Sequence, residues 1–500
     1  MKDVAVAEKA GGGKWVAIVA MFFLFAMISF VTNLAAPIGT IWKGTYEWSG
    51  MLGNLMNFAA YLFMGIPAGA MLVKYGYKKT ALMAMIVGIA GLFLQWLSGV
   101  YGAETAVFTV KAQPVTLNFL IYLLGAFICG FCVCMLNTVV NPMLNLLGGG
   151  GNTGNQLVQA GGTLNSLAGT CTPFAVGALV GVITKKTTVA DVAPLLWVAI
   201  GVFVLAFLVI SFVAIPEPHM GKSKAKTKSA HSAWSFRHLV LGVVGIFFYV
   251  GIEVGIPGIL IFYLTDLTGS VVVATAVASF YWLLMLVGRF CSSIISGMVS
   301  SRTQMLCVST VAILLIVVAI FLPADKGMDA PKFLYNPEKT TASMLTNAGV
   351  DETIVTEIVA IETPTEESYA EYAEVLAQAE IKASDLAAAR NTPVIPTSAF
   401  LLVLCGLCTS VMWGGIFNLA VEGLGKYTAQ ASGIFMMMVV GGGVMPLIQE
   451  AIGRATTYMT SYWLVVAMLA YLLYYALIGC RNVNKDIPVD ETDAPDLRDL

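Results

Sequence analysis

The stretch WVAIVAMFFLFAMISFVTNLAAP, residues Trp15–Pro37, decides the class of the protein because it carries no charged side chain. A helix rises roughly 1.5 Å per residue, so about twenty apolar residues cross the ~30 Å hydrocarbon core of a bilayer. The stretch is longer than the apolar core of a secretory signal peptide, and no small-residue cleavage site follows it. We therefore predict that it is an uncleaved first membrane-spanning helix.

The rest of the chain repeats this pattern. Of its 500 residues, 58% are hydrophobic and 11% are charged, and the mean hydropathy is +0.83. A soluble domain carries roughly 25% charged residues, so lipid must be the solvent for most of this surface. We predict an all-α integral membrane protein with twelve spanning helices, at residues 15–38, 49–73, 79–99, 117–145, 156–184, 191–214, 239–264, 271–298, 304–323, 398–420, 428–452 and 458–479.

The two halves of the chain show weak internal similarity, which predicts two six-helix pseudo-repeats. Aligning Asn145 with Asn418 also places Cys132 on Cys405, and Gln159-Ala160-Gly161 resembles Gln430-Ala431-Ser432. Parallel repeats of this kind hold a substrate midway between the halves. The predicted division is an N-terminal bundle (1–216), a linker (217–238) and a C-terminal bundle (239–500) with an insert at 324–397.

Lysine and arginine collect on one side of the predicted helices, in the N-terminal segment, the linker and the short loops near Lys74, Lys79 and Lys426. By the positive-inside bias, both termini and the linker are predicted to be cytoplasmic. The insert then lies on the outer side. It is polar and acidic, and 366–379 and 381–389 have helical composition, so it is either a small cap over the pathway or a decoration without a role in transport.

Amide side chains inside the predicted helices are the first candidates for a site. Polar groups in hydrocarbon usually face the bundle interior or a water-filled cavity. Asn137, Asn141 and Asn145 recur every four residues and therefore share one helix face. Neutral amides both donate and accept hydrogen bonds, which suits a neutral polyhydroxylated ligand, although bonds between helices are the alternative role. The candidate substrate contacts are Asn33, Asn57, Asn137, Asn141, Gln159, Asn165 and Trp282.

Glu253 is the one acid that falls well inside a predicted helix, so it is the candidate for coupling to a cation. Arg289 is expected near the cytoplasmic end of the eighth helix, in a gating or helix-locking role. Trp282 could stack on a sugar face or simply pack. Gating or structural roles are also expected for Lys74, Gly76 and Pro67.

Several function classes lack support in the sequence. There is no Walker motif, no HExxH and no GxSxG, and the three histidines fall in or beside the linker. The net charge of −2 does not suit a nucleic-acid binder. The Cys129/Cys132 and Cys405/Cys408 pairs have no histidine partners, so packing between helices is the expected role. We expect no enzyme activity, no metal and no cofactor.

Specific motifs resemble the fucose–galactose–glucose:proton symporters, a sugar-transporter family of the major facilitator superfamily. The segment YLFMGIPAG (Tyr61–Gly69), followed by Lys74 and Tyr77-Lys78-Lys79, is similar to the signature of the second and third helices. Further matches, in the family's order, are NTVVNP (Asn137–Pro142), TLNSLAG (Thr163–Gly169), Phe280-Tyr281-Trp282, Gly288-Arg289-Phe290, EGLGKYT (Glu422–Thr428) and VVGGGVMP (Val439–Pro446).

The resemblance implies alternating access in a bacterial cytoplasmic membrane, with a neutral monosaccharide held between the two bundles, and we expect a monomer. The family's two acids on the first and fourth helices match Asn33 and Asn137, and an amide does not titrate in this range. The coupling ion is then a proton carried by Glu253 or a sodium ion, or the protein is a facilitator without a coupling ion. An exporter of amphiphiles and a transporter-like sugar sensor are the alternative functions.

Overall fold

The structure is a computed structural model that describes residues 11–46, 49, 52–110, 113–180, 188–215, 217, 231–268, 271–332, 335–361, 364–379 and 381–489. Most of the lysine-rich linker, with Lys222, Lys224, Lys226 and Lys228, lies outside these residues, as do the first ten and the last eleven residues of the chain.

Ten described helical stretches are long and apolar enough to cross a membrane. One of them, Leu52–Val100, contains two helices joined at Gly76, and Gly151–Val180 supplies a further helix, so the bundle has twelve. We number them in chain order: Gly11–Thr45 (helix 1), Leu52–Val100 (helices 2 and 3), Leu117–Leu147 (4), Gly151–Val180 (5), Ala193–Phe212 (6), Arg237–Thr268 (7), Val271–Ile295 (8), Ser301–Phe321 (9), Thr397–Val421 (10), Thr428–Met437 with Gly441–Ala455 (11) and Tyr458–Tyr474 (12).

Short breaks in the apolar pattern set the helix ends. Gly76 adopts φ 83° and ψ 172°, a backbone conformation that is open almost only to glycine, and there the chain turns from helix 2 into helix 3. Ser300 and Thr457 accept hydrogen bonds from the backbone N–H three residues on, which caps the starts of helices 9 and 12.

The packing between the two sets of six helices is symmetric in pattern. Helix 2 packs against helix 11, and helix 5 packs against helix 8. Exchanging the two halves of the chain converts the first contact into the second. Glycines permit the close approach, since a Cβ atom at Gly65 would lie 2.6 Å from the backbone oxygen of Gly433. This arrangement agrees with the predicted pair of six-helix repeats.

One end of the bundle gathers the start of the linker and the described C-terminal segment, and we call it the terminal end. There the Glu217 carboxylate accepts hydrogen bonds from the backbone N–H groups of Tyr77 (2.6 Å) and Lys78 (2.9 Å), just after Gly76. The C-terminal segment returns over the same end, where the N–H of Lys426 donates to the carbonyl of Val489 at 3.3 Å. The segments that follow each of the two bundles therefore pack at the same end.

The opposite end, which we call the insert end, carries two features. A hairpin of Ala106–Val110 and Gln113–Thr116 joins helices 3 and 4, an element that the hydropathy pattern does not predict. Short strands Gly327–Asp329 and Val394–Pro396 pair antiparallel and lead into and out of the insert. The insert is thus held on a two-stranded stalk between helices 9 and 10.

The insert has a hydrophobic core of its own. Its helices are Pro337–Asn347, Glu352–Ala360, Ala373–Gln378 and Ala383–Arg390, with a 3-10 turn at Glu367–Tyr372. The composition had indicated only the part after residue 366. The buried side chains of this core are Leu345, Val350, Val355, Ile358, Tyr369, Leu376 and Leu386.

The insert consists of two similar helix–turn–helix units. In the first turn the N–H of Val350 donates to the carbonyl of Leu345 at 3.1 Å, and in the second the N–H of Ile381 donates to the carbonyl of Leu376 at 2.9 Å. The spacing between donor and acceptor is the same in both turns, and both units contribute to the same core. The insert is therefore a folded module whose surface is acidic.

Candidate functional site

A chain of hydrogen bonds crosses from the N-terminal to the C-terminal bundle at helices 4 and 10. The Asn137 amide donates to the Tyr61 hydroxyl at 2.9 Å, and the Asn141 amide donates to the Asn137 carbonyl at 2.9 Å. The Trp413 indole N–H then donates to the Asn141 side-chain oxygen at 3.0 Å. Asn137 and Asn141 are both buried. The predicted shared face of helix 4 therefore points at the other bundle.

Glu253 and Arg289 form an ion pair, with 2.9 Å between Oε1 and Nη2. Their side chains are 13% and 8% exposed, respectively. The other guanidinium nitrogen, Nη1, donates to helix 5, at 3.1 Å to the Gly162 carbonyl, 3.0 Å to Ser166 Oγ and 3.3 Å to Asn165 Oδ1. The arginine therefore binds both bundles at once, which places Arg289 at the contact that its predicted locking role requires.

Asn165 extends this network to a fourth helix. Its amide nitrogen donates to the Phe25 carbonyl in helix 1 at 2.9 Å, while its oxygen faces Arg289. The Tyr249 hydroxyl lies beside Glu253 and Arg289, one helical turn before Glu253. The Tyr249 ring meets the Trp413 ring edge to face, with 6.2 Å between centroids. The two polar networks are therefore neighbours, joined through aromatic side chains.

Three further polar contacts join the bundles, and those of Asn145 and Asn155 lie toward the terminal end. The Asn145 amide donates to the Asn418 side-chain oxygen at 3.0 Å, and the Asn155 amide donates to Ser296 Oγ at 3.1 Å. The Gln159 amide donates to the Val411 carbonyl at 2.9 Å. Each bond needs the bundles to be in contact, so this conformation is closed at the terminal end. The Gln159 bond lies close to Trp413 along helix 10, and its role as a substrate contact stays a prediction.

Other predicted residues lie apart from these networks. The Asn33 amide donates to the Ser29 carbonyl (2.8 Å) and hydroxyl (3.1 Å) in its own helix, and it faces Gly169 of helix 5. Asn57 is buried, and its side-chain oxygen has no hydrogen-bond partner within the described chain. Trp282 is partly buried and packs edge to face on Tyr281, whose hydroxyl bonds Thr409 at 2.8 Å.

The signature between helices 2 and 3 contains the turn that joins them. Lys74 places its ammonium 5.0 Å from the ring centre of Tyr75, and Gly76 supplies the turn. A Cβ atom at Gly76 would lie 2.3 Å from a Glu217 carboxylate oxygen. Pro67 lies inside helix 2. In the described part of the chain, no three histidine, cysteine or acidic side chains form a cluster that could hold a metal ion.

Sequence reasoning missed several members of the networks, namely Tyr61, Ser166, Tyr249 and Trp413. Tyr61 and Ser166 stand inside YLFMGIPAG and TLNSLAG, two of the motifs that carry the family resemblance. Trp413 precedes Gly414-Gly415, where the lack of side chains lets helix 5 approach: a Cβ atom at Gly414 would lie 2.6 Å from the Gln159 amide nitrogen. An indole beside two glycines in an apolar helix was the available signal.

Comparisons with known proteins agree with this architecture. No family profile matches the chain. The glucose/galactose transporters of two Brucella abortus strains are each 24% identical over 473 residues, which covers 92% of this chain and 93% of theirs. Among solved structures, the fucose:proton symporter of Escherichia coli aligns with a TM-score of 0.66 and 16% identity over 93% of this chain and 98% of its own.

A bacterial homologue of the iron transporter ferroportin also aligns, with a TM-score of 0.55 and 10% identity over 92% of this chain and 98% of its own. At such identities the structural matches establish the fold, which is the twelve-helix major facilitator fold predicted from the sequence. The relatives are transporters, in keeping with the absence of catalytic motifs. The chain therefore shares the fold of the fucose:proton symporter and is similar, over nearly its full length, to relatives named as glucose/galactose transporters.

Proposed function

We propose that the protein is a secondary active transporter that moves a neutral monosaccharide by alternating access, coupled to a cation in symport. The observation that carries this proposal is the row of neutral amides between the bundles, Asn137 and Asn141, bonded to Tyr61 on one side and to Trp413 on the other. Amides and aromatic hydroxyls are the groups that bind sugar hydroxyls without requiring a charge. The relatives named for glucose, galactose and fucose support the same substrate class.

Alternating access requires contacts that form in one state and break in the other. The bonds of Asn145 and Asn155 to the other bundle fit that requirement, because both lie between the central network and the terminal end. Asn33, Asn57, Asn165 and Trp282 are proposed to contact the sugar in other states of the cycle, when these contacts have changed.

We assign the coupling role to Glu253. It lies at the middle of helix 7, is nearly buried and is paired with Arg289. Asn33 and Asn137 replace the acids that the family uses, and neither amide can carry a proton, so the titratable group must be elsewhere. The related fucose:proton symporter supports a proton as the coupling ion. Sodium is the alternative coupling ion, and the experiment below distinguishes it from a proton.

The proposal includes the arrangement in the membrane. We place the terminal end in the cytoplasm of a bacterial cell, the insert outside, and the bundles at 1–216 and 239–500 as units that rock against each other as a monomer. The lysines near the terminal end support this orientation through the positive-inside bias.

Counterflow in proteoliposomes tests the substrate class. Vesicles loaded with unlabelled glucose, galactose, fucose or N-acetylglucosamine are offered the labelled sugar without an ion gradient. We expect transient accumulation with at least one sugar. Saturable binding without counterflow would instead indicate a sensor, and neither binding nor counterflow with any sugar would refute the proposal.

Asn137→Ala tests the site. The variant leaves Tyr61 without its amide partner and removes a proposed sugar contact, so we expect counterflow to be lost. Asn118→Ala is the matched control, because it changes the same residue type at the insert end of the same helix. Normal counterflow in the Asn137 variant would remove that residue from the site.

Glu253→Gln tests coupling. The amide keeps the size of the side chain and cannot release a proton, so we expect counterflow to persist while accumulation driven by a pH gradient is lost. Glu450→Gln is the control, since Glu450 pairs with the exposed Arg454 in helix 11. Undiminished proton-driven accumulation in the Glu253 variant, or accumulation that follows a sodium gradient instead, would show that the coupling group is another.

A further inference from the structure

The Arg289 guanidinium divides its hydrogen bonds between the two bundles. Nη2 binds Glu253 in its own bundle, and Nη1 binds Gly162, Asn165 and Ser166 in helix 5 of the other. Nη1 carries two hydrogens and faces three acceptors, so those bonds are shared. The contact with helix 5 is therefore weaker per bond than the ion pair, and it is the contact that can be released.

A buried arginine requires its counterion. Removing one partner of a buried ion pair leaves an uncompensated charge, which is strongly destabilising. The titratable groups that face the pair from packed elements are the phenols of Tyr61 (helix 2), Tyr249 (helix 7) and Tyr281 (helix 8). Phenols are neutral near pH 7. Among the described neighbours, Glu253 is therefore the group whose proton decides whether the guanidinium is compensated.

We propose that Arg289 is the positioning residue that transmits the charge of Glu253 to the contact between the bundles. With Glu253 charged, the guanidinium stays buried and holds helix 5 against helix 8. With Glu253 protonated, the guanidinium has no counterion in place, moves toward water and releases helix 5. The terminal end can then open. This inference rests on the proposed function, because it explains how proton binding would drive the change of access.

The same geometry connects substrate binding to the contact between Arg289 and helix 5, which we call the latch. Asn165 Oδ1 faces Arg289, and Asn165 is a proposed sugar contact. A sugar hydroxyl that donates to this oxygen would share it with Nη1 and weaken the bond from Nη1. Sugar binding and protonation of Glu253 would thus act in the same direction, each weakening the hold of Arg289 on helix 5. That is the behaviour that symport requires of a coupled pair of sites.

Pulsed electron paramagnetic resonance can measure the latch without measuring transport. Spin labels at Thr153 and Arg481, both exposed at the terminal end and one in each bundle, report whether that end is closed or open. The exposed Cys171, Cys291 and Cys307 are first replaced by serine. The protein is studied in nanodiscs from pH 5 to pH 9, and the ratio of short to long distances is the readout.

We expect the wild-type ratio to fall as the pH falls, and Glu253→Gln to show a ratio at least tenfold lower that no longer changes with pH. Arg289→Lys keeps a charge but lacks the planar fork that serves both bundles. In that background, Glu253→Gln should change the ratio by less than twofold. Glu450→Gln should behave as wild type.

A folded Glu253→Gln protein whose ratio stays within twofold of wild type and still follows pH would overturn the proposal. Full additivity of Glu253→Gln and Arg289→Lys would also overturn it, because the two residues would then act separately. Counterflow of wild-type protein remains the test of transport itself. If the wild-type protein shows counterflow but its ratio of short to long distances does not change with pH, the proposed role of Arg289 is refuted. The proposed transport function is then unaffected.

Discussion

The bond between Asn145 and Asn418 gives the sharpest test of the closed terminal end. We consider the single variants Asn145→Ala and Asn418→Ala and the double variant. The bond, at 3.0 Å, can form only when the bundles meet, whereas Asn418 keeps its second bond, to Ser301 of its own bundle, in any state. Loss of Asn145 therefore removes one contact that is specific to the closed state.

The expected size follows from measured polar contacts between membrane helices, which average about 0.6 kcal/mol. A free-energy change of that size shifts the ratio of closed to open protein about threefold. Each single variant should lower the ratio by this amount. The double variant should also lower it about threefold rather than about ninefold, because both changes remove the same bond.

The assay is the same distance measurement between labels at Thr153 and Arg481. Asn155→Ala is the matched comparison, since its bond to Ser296 is separate and its effect should multiply with that of Asn145→Ala. A double variant of Asn145 and Asn418 that multiplies the two single effects would refute the reasoning. So would an Asn145→Ala protein whose ratio equals that of wild type.

Two further predictions concern stability and the insert. Gly76→Ala should lower the free energy of unfolding by about 1–3 kcal/mol, because alanine is strained at φ 83° and its Cβ meets the Glu217 carboxylate; the melting temperature of purified protein checks this, with the unobstructed Gly201→Ala as control. Replacing residues 331–392 by Asn-Gly should leave folding and counterflow intact, because the bond from the Ala330 N–H to the Pro393 carbonyl (2.9 Å) is the last of the stalk and a two-residue turn closes such a hairpin. A well-folded variant of this kind that has lost counterflow would show that the insert takes part in transport.

Helix number and order could be predicted because lipid imposes a length and a composition on each span. The apolar runs gave twelve helices, although helix 1 begins at Gly11 and extends to Thr45, beyond the predicted 15–38. The amphipathic helices of the insert before residue 361 were missed, since short polar helices stabilised by one another leave little pattern. The hairpin at 106–116 was missed for a similar reason, because its strands are short and largely exposed.

The residue types of the candidate site and the helix face that they share could be predicted from the sequence. Their partners in the other bundle could not. The spacing of Asn137 and Asn141 predicts a shared face, and the structure turns that face toward the other bundle. Sequence spacing carries no information on partners across the interface, so it could not show that Trp413 binds Asn141 or that Arg289 reaches Asn165. The choice between substrate contact and helix-to-helix bond depends on such partners, and the roles of these residues remain predictions for the experiments above.

The meeting of Asn145 with Asn418 has a consequence for how such a chain could arise. Residues at matching positions of two repeats meet each other only on the axis that relates the repeats, and a side chain on such an axis must be complementary to itself. An amide satisfies this condition because it is both donor and acceptor, whereas two lysines or two glutamates would repel. The same asparagine would therefore have joined two separate copies of a six-helix ancestor as a homodimer, and fusion of the two genes would have required no change at this position.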